Sequence, residues 1–185
     1  METVDTVTMP TTPVLHLATP VSLDAYVGPV SFNGNNWDYA WCIDLYHEIY
    51  LGLQVPLLSY SVEAFDTSPY TQPLLTSGQA EEIAGLAEQG DLLLFNGIGN
   101  PSDIGEATQL AIWSVEYSNF TYSGASDAVN GLVTQYLAEG LSSNHGLAWT
   151  SEDGHQTFAT VPEPMTLTVF GTGLLGLGLL RRRAR

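Results

Sequence analysis

The sequence predicts an α+β fold, in which a β-sheet or sandwich-like domain carries a helical segment and is followed by a linker and a single C-terminal transmembrane helix. Stretches rich in Tyr, Val, Ile and Phe occupy the first third of the chain, as is typical of strands. Capped, periodic apolar stretches follow, as is typical of helices, and an uncharged run precedes a basic C-terminus. The predicted parts are an extended N-terminal segment (1–22), an α+β domain (23–160) and a C-terminal tail (161–185).

Strand-like stretches follow the Thr- and Pro-rich N-terminal segment. These stretches are Ala25–Phe32, Tyr39–Tyr50 and Val55–Phe65. The sequence Asn33-Gly34-Asn35-Asn36 predicts a turn between the first two, because Asn and Gly tolerate the backbone angles of tight turns. A final strand is predicted within Ala148–Thr160, where Ser151–Gly154 has the composition of a polar turn.

Helices are predicted in the middle of the chain. The three stretches are Gly78–Gln89, Ile104–Tyr117 and Asp127–Glu139. The first is expected to end at Gly90, and the second to begin with a capping box formed by Asp103 and Glu106. The third has Ser126 as its expected N-cap and Gly140 as its expected end.

The charge distribution excludes some classes of partner. The chain has 20 acidic residues against four Lys or Arg, and a formal net charge of −16. All four cations are arginines within 181–185, so residues 1–160 have none. A domain without cations is not expected to bind nucleic acid, whose phosphates attract Lys and Arg, nor an anionic lipid surface. No cofactor is expected, and the scattered histidines lack the spacing of metal ligands.

The tail has the composition of a membrane-spanning segment. Pro162-Glu163-Pro164 precedes an uncharged run from Met165 to Leu180, and Arg181-Arg182-Arg183-Ala184-Arg185 follows it. As a helix the run would be about 24 Å long, somewhat shorter than a bilayer core of about 30 Å. Flanking arginines can extend to the interface and make up the difference. The positive-inside rule would keep these arginines cytoplasmic and place the acidic domain across the membrane.

This tail resembles the PEP-CTERM sorting signal of Gram-negative, often biofilm-forming bacteria. Pro162-Glu163-Pro164 matches its tripeptide, the run 165–180 its helix, and Arg181-Arg182-Arg183 its basic end. The resemblance implies recognition by an exosortase, which removes the helix near the tripeptide. The protein would then be exported as an inner-membrane-anchored precursor and reach the cell surface or extracellular matrix. Met1–Pro20 has no recognisable signal peptide, so we expect the gene start to be truncated or misplaced.

Two segments contain the most distinctive chemical groups. They are Ala40-Trp41-Cys42-Ile43-Asp44-Leu45 and Thr108-Gln109-Leu110-Ala111-Ile112-Trp113. Cys42, the single cysteine, lies in a strand-like stretch, whereas Gln109 lies in a predicted helix on the face of Trp113 and Glu116. The segments resemble motifs of the thioester domains of bacterial surface adhesins: an aromatic residue followed by Cys-Ile-Asp, and Thr-Gln-x-Ala-Ile-Trp.

This second resemblance implies a covalent chemistry. The sulfur of Cys42 would attack the side-chain carbonyl of Gln109 and release ammonia, leaving an internal thioester. An amine- or hydroxyl-bearing surface ligand would then attack the thioester and become joined to Gln109. Such a protein is a covalent adhesion module and not an enzyme. Asp44 would orient the backbone or exclude water. The other supporting residues of the motifs are Trp41, Thr108 and Trp113.

Two alternatives remain open from the sequence. In the first, the protein is a non-covalent structural or carbohydrate-binding matrix component, with Cys42 as a small buried hydrophobe and Gln109 as an amide on a helix surface. In the second, Cys42 is the nucleophile of a cysteine hydrolase or transferase and pairs with His145 or His155. His47 is a poor partner, because strand residues of opposite parity face opposite sides of a sheet.

Overall fold

Short strands and three longer helices make up the part of the chain that the structure describes. The computed structural model describes residues 4–6, 14–16, 22–24, 27–32, 39–45, 60–64, 75–151 and 157–161. The strands are β1 (Val4–Thr6), β2 (Val14–His16), β3 (Ser22–Asp24), β4 (Val30–Phe32), β5 (Tyr39–Cys42), β6 (Tyr60–Ala64), β7 (Thr121–Ser123), β8 (Leu147–Ser151) and β9 (Phe158–Thr160). The helices are α1 (Ser77–Phe95), α2 (Pro101–Glu116) and α3 (Asp127–Glu139).

Most of the strands form one antiparallel sheet with the order β1-β4-β5-β9-β8-β6. Strand β5 lies in the interior of this sheet, where Trp41 pairs with Ala159 and Cys42 with Phe158. A smaller antiparallel sheet has the order β3-β2-β7. The candidate cysteine is therefore the last residue of a strand that has neighbours on both sides.

Helix α1 is longer than its sequence predicts. Its N-cap is Thr76, which forms a capping box with Gln79, and it continues through Gly90 to Phe95. The prediction that Gly90 ends the helix is wrong because this glycine serves packing: a Cβ there would lie 2.7 Å from both Thr108 Cγ2 and Trp41 Cζ2. The helix ends before a turn at Asn96 and Gly97, where Gly97 has a φ of +63°.

Local capping signals set the ends of α2 and α3. Helix α2 has Asn100 as its N-cap and a proline in its first turn, where the missing N–H is not needed. The predicted capping box at Asp103 is therefore wrong, because the helix begins one turn earlier. The bounds predicted for α3 are confirmed: the side chain of Ser126 accepts a hydrogen bond from the Val129 N–H, and Gly140 ends the helix in a left-handed conformation.

The described hydrophobic core lies between the six-stranded sheet and the helices. Helix α2 is its centre, because α2 packs against both α1 and α3. Every residue of α2 from Ile104 to Trp113 is buried, as expected for a helix covered on all sides. The largest fully buried side chains include Trp41, Ile83, Leu86, Leu110, Ile112, Trp113 and Phe158.

The α+β class is confirmed. The predicted fold with a transmembrane helix is wrong as far as the structure describes the chain, because none of the described helices is long and apolar enough to cross a membrane. Helix α1 has 19 residues but includes Glu81, Glu82, Glu88 and Asp91, and α2 and α3 are shorter. The run 165–180, on which that helix was predicted, lies outside the described residues, as do residues 162–164 and 181–185. The sandwich-like description is also corrected, since the described core is built between one sheet and helices.

Two helix glycines should respond oppositely to substitution by alanine. A Cβ at Gly85 would lie 2.5 Å from the Ser142 backbone nitrogen, so Gly85→Ala should force α1 away from this segment and destabilise the protein by about 1–3 kcal/mol. Gly131 in α3 has nothing within 4 Å. Gly131→Ala should therefore stabilise by roughly 0.5–1 kcal/mol, because alanine loses less backbone entropy in a helix. Urea unfolding measures both, and equal effects would contradict the packing described here.

Candidate functional site

Two hydrogen bonds hold the side chain of Gln109 against the backbone of Cys42. The Cys42 N–H donates to Gln109 Oε1 at 2.9 Å, and Gln109 Nε2 donates to the Cys42 carbonyl at 2.7 Å. Both bonds are buried, and Gln109 has no exposed surface. The alternative in which Gln109 is an amide on a helix surface is therefore wrong. The structure brings together the two residues that the sequence motifs single out.

The amide occupies a position that a strand would otherwise take. In the register of β4 with β5, Val30 pairs with Ala40, so Gly28 would lie opposite Cys42. Strand β4 begins only at Val30, after Pro29, which has no N–H to donate. The Ile43 N–H bonds to Thr157 on the β9 side, and alternate residues of a strand face opposite neighbours. The N–H and C=O of Cys42 thus face the β4 side, where Gln109 pairs with them.

The thiol of Cys42 lies in a tight, buried turn after β5. It donates to the Asp44 carbonyl at 3.2 Å and accepts from the Asp44 N–H at 3.5 Å. Burial raises its pKa well above the ordinary value, and the charges of Glu116 and Asp44 raise it further. The Asp44 backbone and the Trp113 indole, which lies close to the sulfur, lower the pKa in part. The thiol is therefore protonated at neutral pH.

An acidic group lies on the same side of α2 as Gln109. Glu116 is 1% exposed, and neither of its carboxyl oxygens has a hydrogen-bond partner among the described residues. Burial raises its pKa well above the ordinary value, and the charge of Asp44 raises it further. Tyr117, whose hydroxyl accepts a hydrogen bond from the Leu45 N–H at 3.1 Å, is close enough to lower the Glu116 pKa in part. Burial also raises the pKa of Tyr117.

Helix α1 contacts the residues that precede both members of the pair. The Trp41 indole N–H donates to Asp91 Oδ1 at 2.8 Å. The adjacent Gly90 lies against both Trp41 and Thr108, which immediately precede Cys42 and Gln109. Helix α1 therefore fixes the distance between the end of β5 and the middle of α2.

The predicted supporting residues have different outcomes. Three of them are buried beside the pair: Trp41, Thr108 and Trp113. Asp44 is also buried, but it contacts the thiol through its backbone N–H and C=O. His145 is exposed, and His47 and His155 lie outside the described residues. Within the described ranges no group of three His, Cys, Asp or Glu residues could hold a metal ion.

The sequence indicated the position of Glu116, but not that its carboxyl oxygens would be buried without a hydrogen-bond partner among the described residues. Helical spacing places Glu116 on the face of Gln109, yet the absence of partners for its carboxyl group depends on the surrounding fold. Asp91 and Tyr117 were missed altogether. Asp91 lies in a helix turn that the sequence predicts to be past the end of α1, and no local signal relates Tyr117 to Leu45.

Removing the charge of Asp91 should change how stability depends on pH. Burial raises the pKa of Asp91 to about 7, so its contribution to stability is present at low pH and is lost as the pH rises through 7. In Asp91→Asn the side chain stays neutral and still accepts the Trp41 N–H. We expect the variant to match the wild type near pH 4 and to exceed it by roughly 1–3 kcal/mol at pH 8. Urea unfolding across this range measures the difference.

The matched control for this prediction is Glu81→Gln, which changes an exposed acid on the same helix. It should keep the wild-type pH dependence. A parallel pH dependence in wild type and Asp91→Asn would show that the pKa of Asp91 is the same in the folded and the unfolded protein.

Comparisons of the chain with protein-family models, with curated proteins and with solved structures found no match.

Proposed function

We propose that Cys42 and Gln109 form an internal thioester and that the domain is a covalent adhesion module of an exported bacterial surface or matrix protein. One observation supports this most directly: the Gln109 amide is held by two buried hydrogen bonds on the residue that supplies the chain's single thiol. Holding both reactants in one place converts a slow bimolecular step into an intramolecular one.

The geometry also supplies a group that stabilises the developing charge. When the Cys42 sulfur attacks Cδ of Gln109, the carbonyl electron pair moves onto Oε1. That oxygen already accepts the Cys42 N–H at 2.9 Å, so a backbone dipole is aimed at the atom that becomes an oxyanion. The S–C bond forms, the C–N bond breaks, and the thiol proton leaves with the nitrogen as ammonia.

The buried surroundings would preserve the product. A thioester is hydrolysed where water reaches its carbonyl, and the side chains of Trp41, Trp113 and Phe158 around this site are 0–1% exposed. Exclusion of water would protect the bond from hydrolysis. An incoming amine or hydroxyl joins the Gln109 carbonyl and releases the Cys42 thiol. Each molecule reacts once, so the proposed activity is capture and not catalytic turnover.

The location of this activity is proposed from the tail. Residues 161–185 resemble a sorting signal that an exosortase recognises, which supports export to the cell surface or extracellular matrix. A covalent link to a neighbouring surface fits such a location. The absence of Lys and Arg from residues 1–160 also leaves few internal nucleophiles to consume the thioester.

A second candidate function is a non-covalent matrix component with a buried free cysteine. It is favoured by the strand-like position of the Gln109 amide, since satisfying the backbone groups of Cys42 is by itself a sufficient structural role. The cysteine-hydrolase alternative has less support, because the thiol is protonated and His145 is exposed.

Intact mass tests the thioester. The purified domain should be lighter than its sequence mass by one ammonia molecule, and both Cys42→Ala and Gln109→Ala should abolish the deficit. Gln135→Ala, which changes an exposed amide of α3, is the control and should keep it. A full sequence mass, together with alkylation of Cys42 by iodoacetamide under denaturing conditions, would show that no thioester forms and would favour the non-covalent candidate.

A further inference from the structure

An acid near the end of α1 is hydrogen-bonded to the residue that precedes the thiol. Asp91 Oδ1 accepts the Trp41 indole N–H at 2.8 Å. Trp41 has no exposed surface, so its N–H cannot donate to bulk water, and a buried donor that loses its acceptor is unfavourable. The position of the Asp91 carboxyl group therefore determines where the indole can lie.

The indole is connected to the reacting pair through a single peptide group. The N–H that donates to Gln109 Oε1 at 2.9 Å is that of Cys42, and it belongs to the peptide group that joins Trp41 to Cys42. Because a peptide group is planar and rigid, a shift of Trp41 moves this N–H with it. The hydrogen bond that holds the amide beside the thiol thus depends on where Trp41 is held.

The same part of α1 also contacts the residue that precedes Gln109. A Cβ at Gly90 would lie 2.7 Å from Trp41 Cζ2 and 2.7 Å from Thr108 Cγ2, so the helix backbone is already in close contact with both side chains. Trp41 and Thr108 therefore pack against one residue of α1, and the next residue, Asp91, bonds to the first of them.

We propose that Asp91 is a positioning residue for thioester formation: by accepting the Trp41 N–H, it holds the Cys42 N–H against Gln109 Oε1, so that the sulfur and the amide carbon can meet. This inference rests on the proposed thioester. Asp91 acts through Trp41 and exchanges no proton with the reacting groups. The S–C bond forms, the C–N bond breaks, and the thiol proton leaves with the nitrogen as ammonia.

Asp91 occupies a place that is unfavourable for its own charge. Its pKa is raised to about 7, mainly by burial and also by the charge of Glu88, while the Trp41 hydrogen bond lowers it in part. An apolar side chain there would avoid the cost of burying an acid, but it would offer no oxygen to the indole N–H. Acids held at such a cost are typical of functional sites.

The rate of thioester closure tests the role of Asp91. Protein is unfolded in urea, treated with ammonia to restore the thiol and the amide, and refolded by dilution, and intact mass follows the return of the deficit. We expect Asp91→Leu to close about 10- to 100-fold more slowly, because a misplacement of about 1 Å is enough for such a loss. Asp91→Asn keeps an oxygen acceptor and should close at the wild-type rate.

Gly85→Ala is the matched control for a loss of stability. It changes the same helix, but its close contacts are with the backbone of Leu141 and Ser142. It should therefore destabilise the protein and still close at the wild-type rate under folding conditions, where circular dichroism shows that each variant is folded. If Gly85→Ala closed as slowly as Asp91→Leu, closure would follow stability and the positioning role would be overturned.

Trp41→Phe covers the case in which Asp91→Leu alone does not fold. Phenylalanine has no N–H to donate, so Trp41→Phe should also close about 10- to 100-fold more slowly than the wild type. Adding Asp91→Leu to Trp41→Phe should slow closure no further, because the two side chains act through one hydrogen bond. Closure of Trp41→Phe at the wild-type rate, or a further loss in the double variant, would overturn the assignment.

The mass of the wild type separates this inference from the function on which it rests. A deficit in the wild type with equal closure rates in wild type and Asp91→Leu would overturn the role of Asp91 alone. A full sequence mass in freshly purified wild type would overturn both the thioester and the positioning role.

Discussion

The two hydrogen bonds between the Gln109 side chain and the Cys42 backbone connect the sheet to the central helix. They form where β4 no longer pairs with β5, so a helix side chain completes the hydrogen bonding of a strand. This fixes the rotation of α2 about its axis, since one face must point at Cys42. Trp113 and Glu116 lie on that same face and are thereby directed toward the end of β5. The contacts of the site depend on this one attachment.

The charge composition of the domain determines the character of its buried acids. Residues 1–160 have no Lys or Arg, so a carboxyl group in the core has no Lys or Arg of the domain itself to pair with. Desolvation is then the largest influence and favours the neutral form, as the raised pKa values of Asp91 and Glu116 show. In most proteins a buried acid is an anion with a cationic partner. Here Asp91 accepts an indole N–H, and burial favours the neutral form of Glu116.

The features that the sequence predicted correctly are those that local chemistry determines. The ends of α3 follow from a serine N-cap and a glycine in the left-handed conformation. The juxtaposition of Cys42 and Gln109 is different, because it is what the resemblance of two short motifs to thioester domains implies. The end of α1 was wrong because Gly90 is required by the indole and threonine packed against it, and these belong to distant elements. The isolation of Glu116 and the strand order of the sheet likewise depend on contacts between residues far apart in sequence, which no local pattern contains.

The pairing of β5 with β9 also determines when the site can exist. Cys42 lies in the first quarter of the chain, and its strand partner Phe158 is near the end of the described residues. Gln109 is already available at the midpoint, but the strand that presents the thiol has no neighbour on one side until β8 and β9 have formed. Such long-range pairing makes folding slow compared with local helix formation. In the growing chain, β5 therefore lacks this strand neighbour until residues 158–160 have been synthesised.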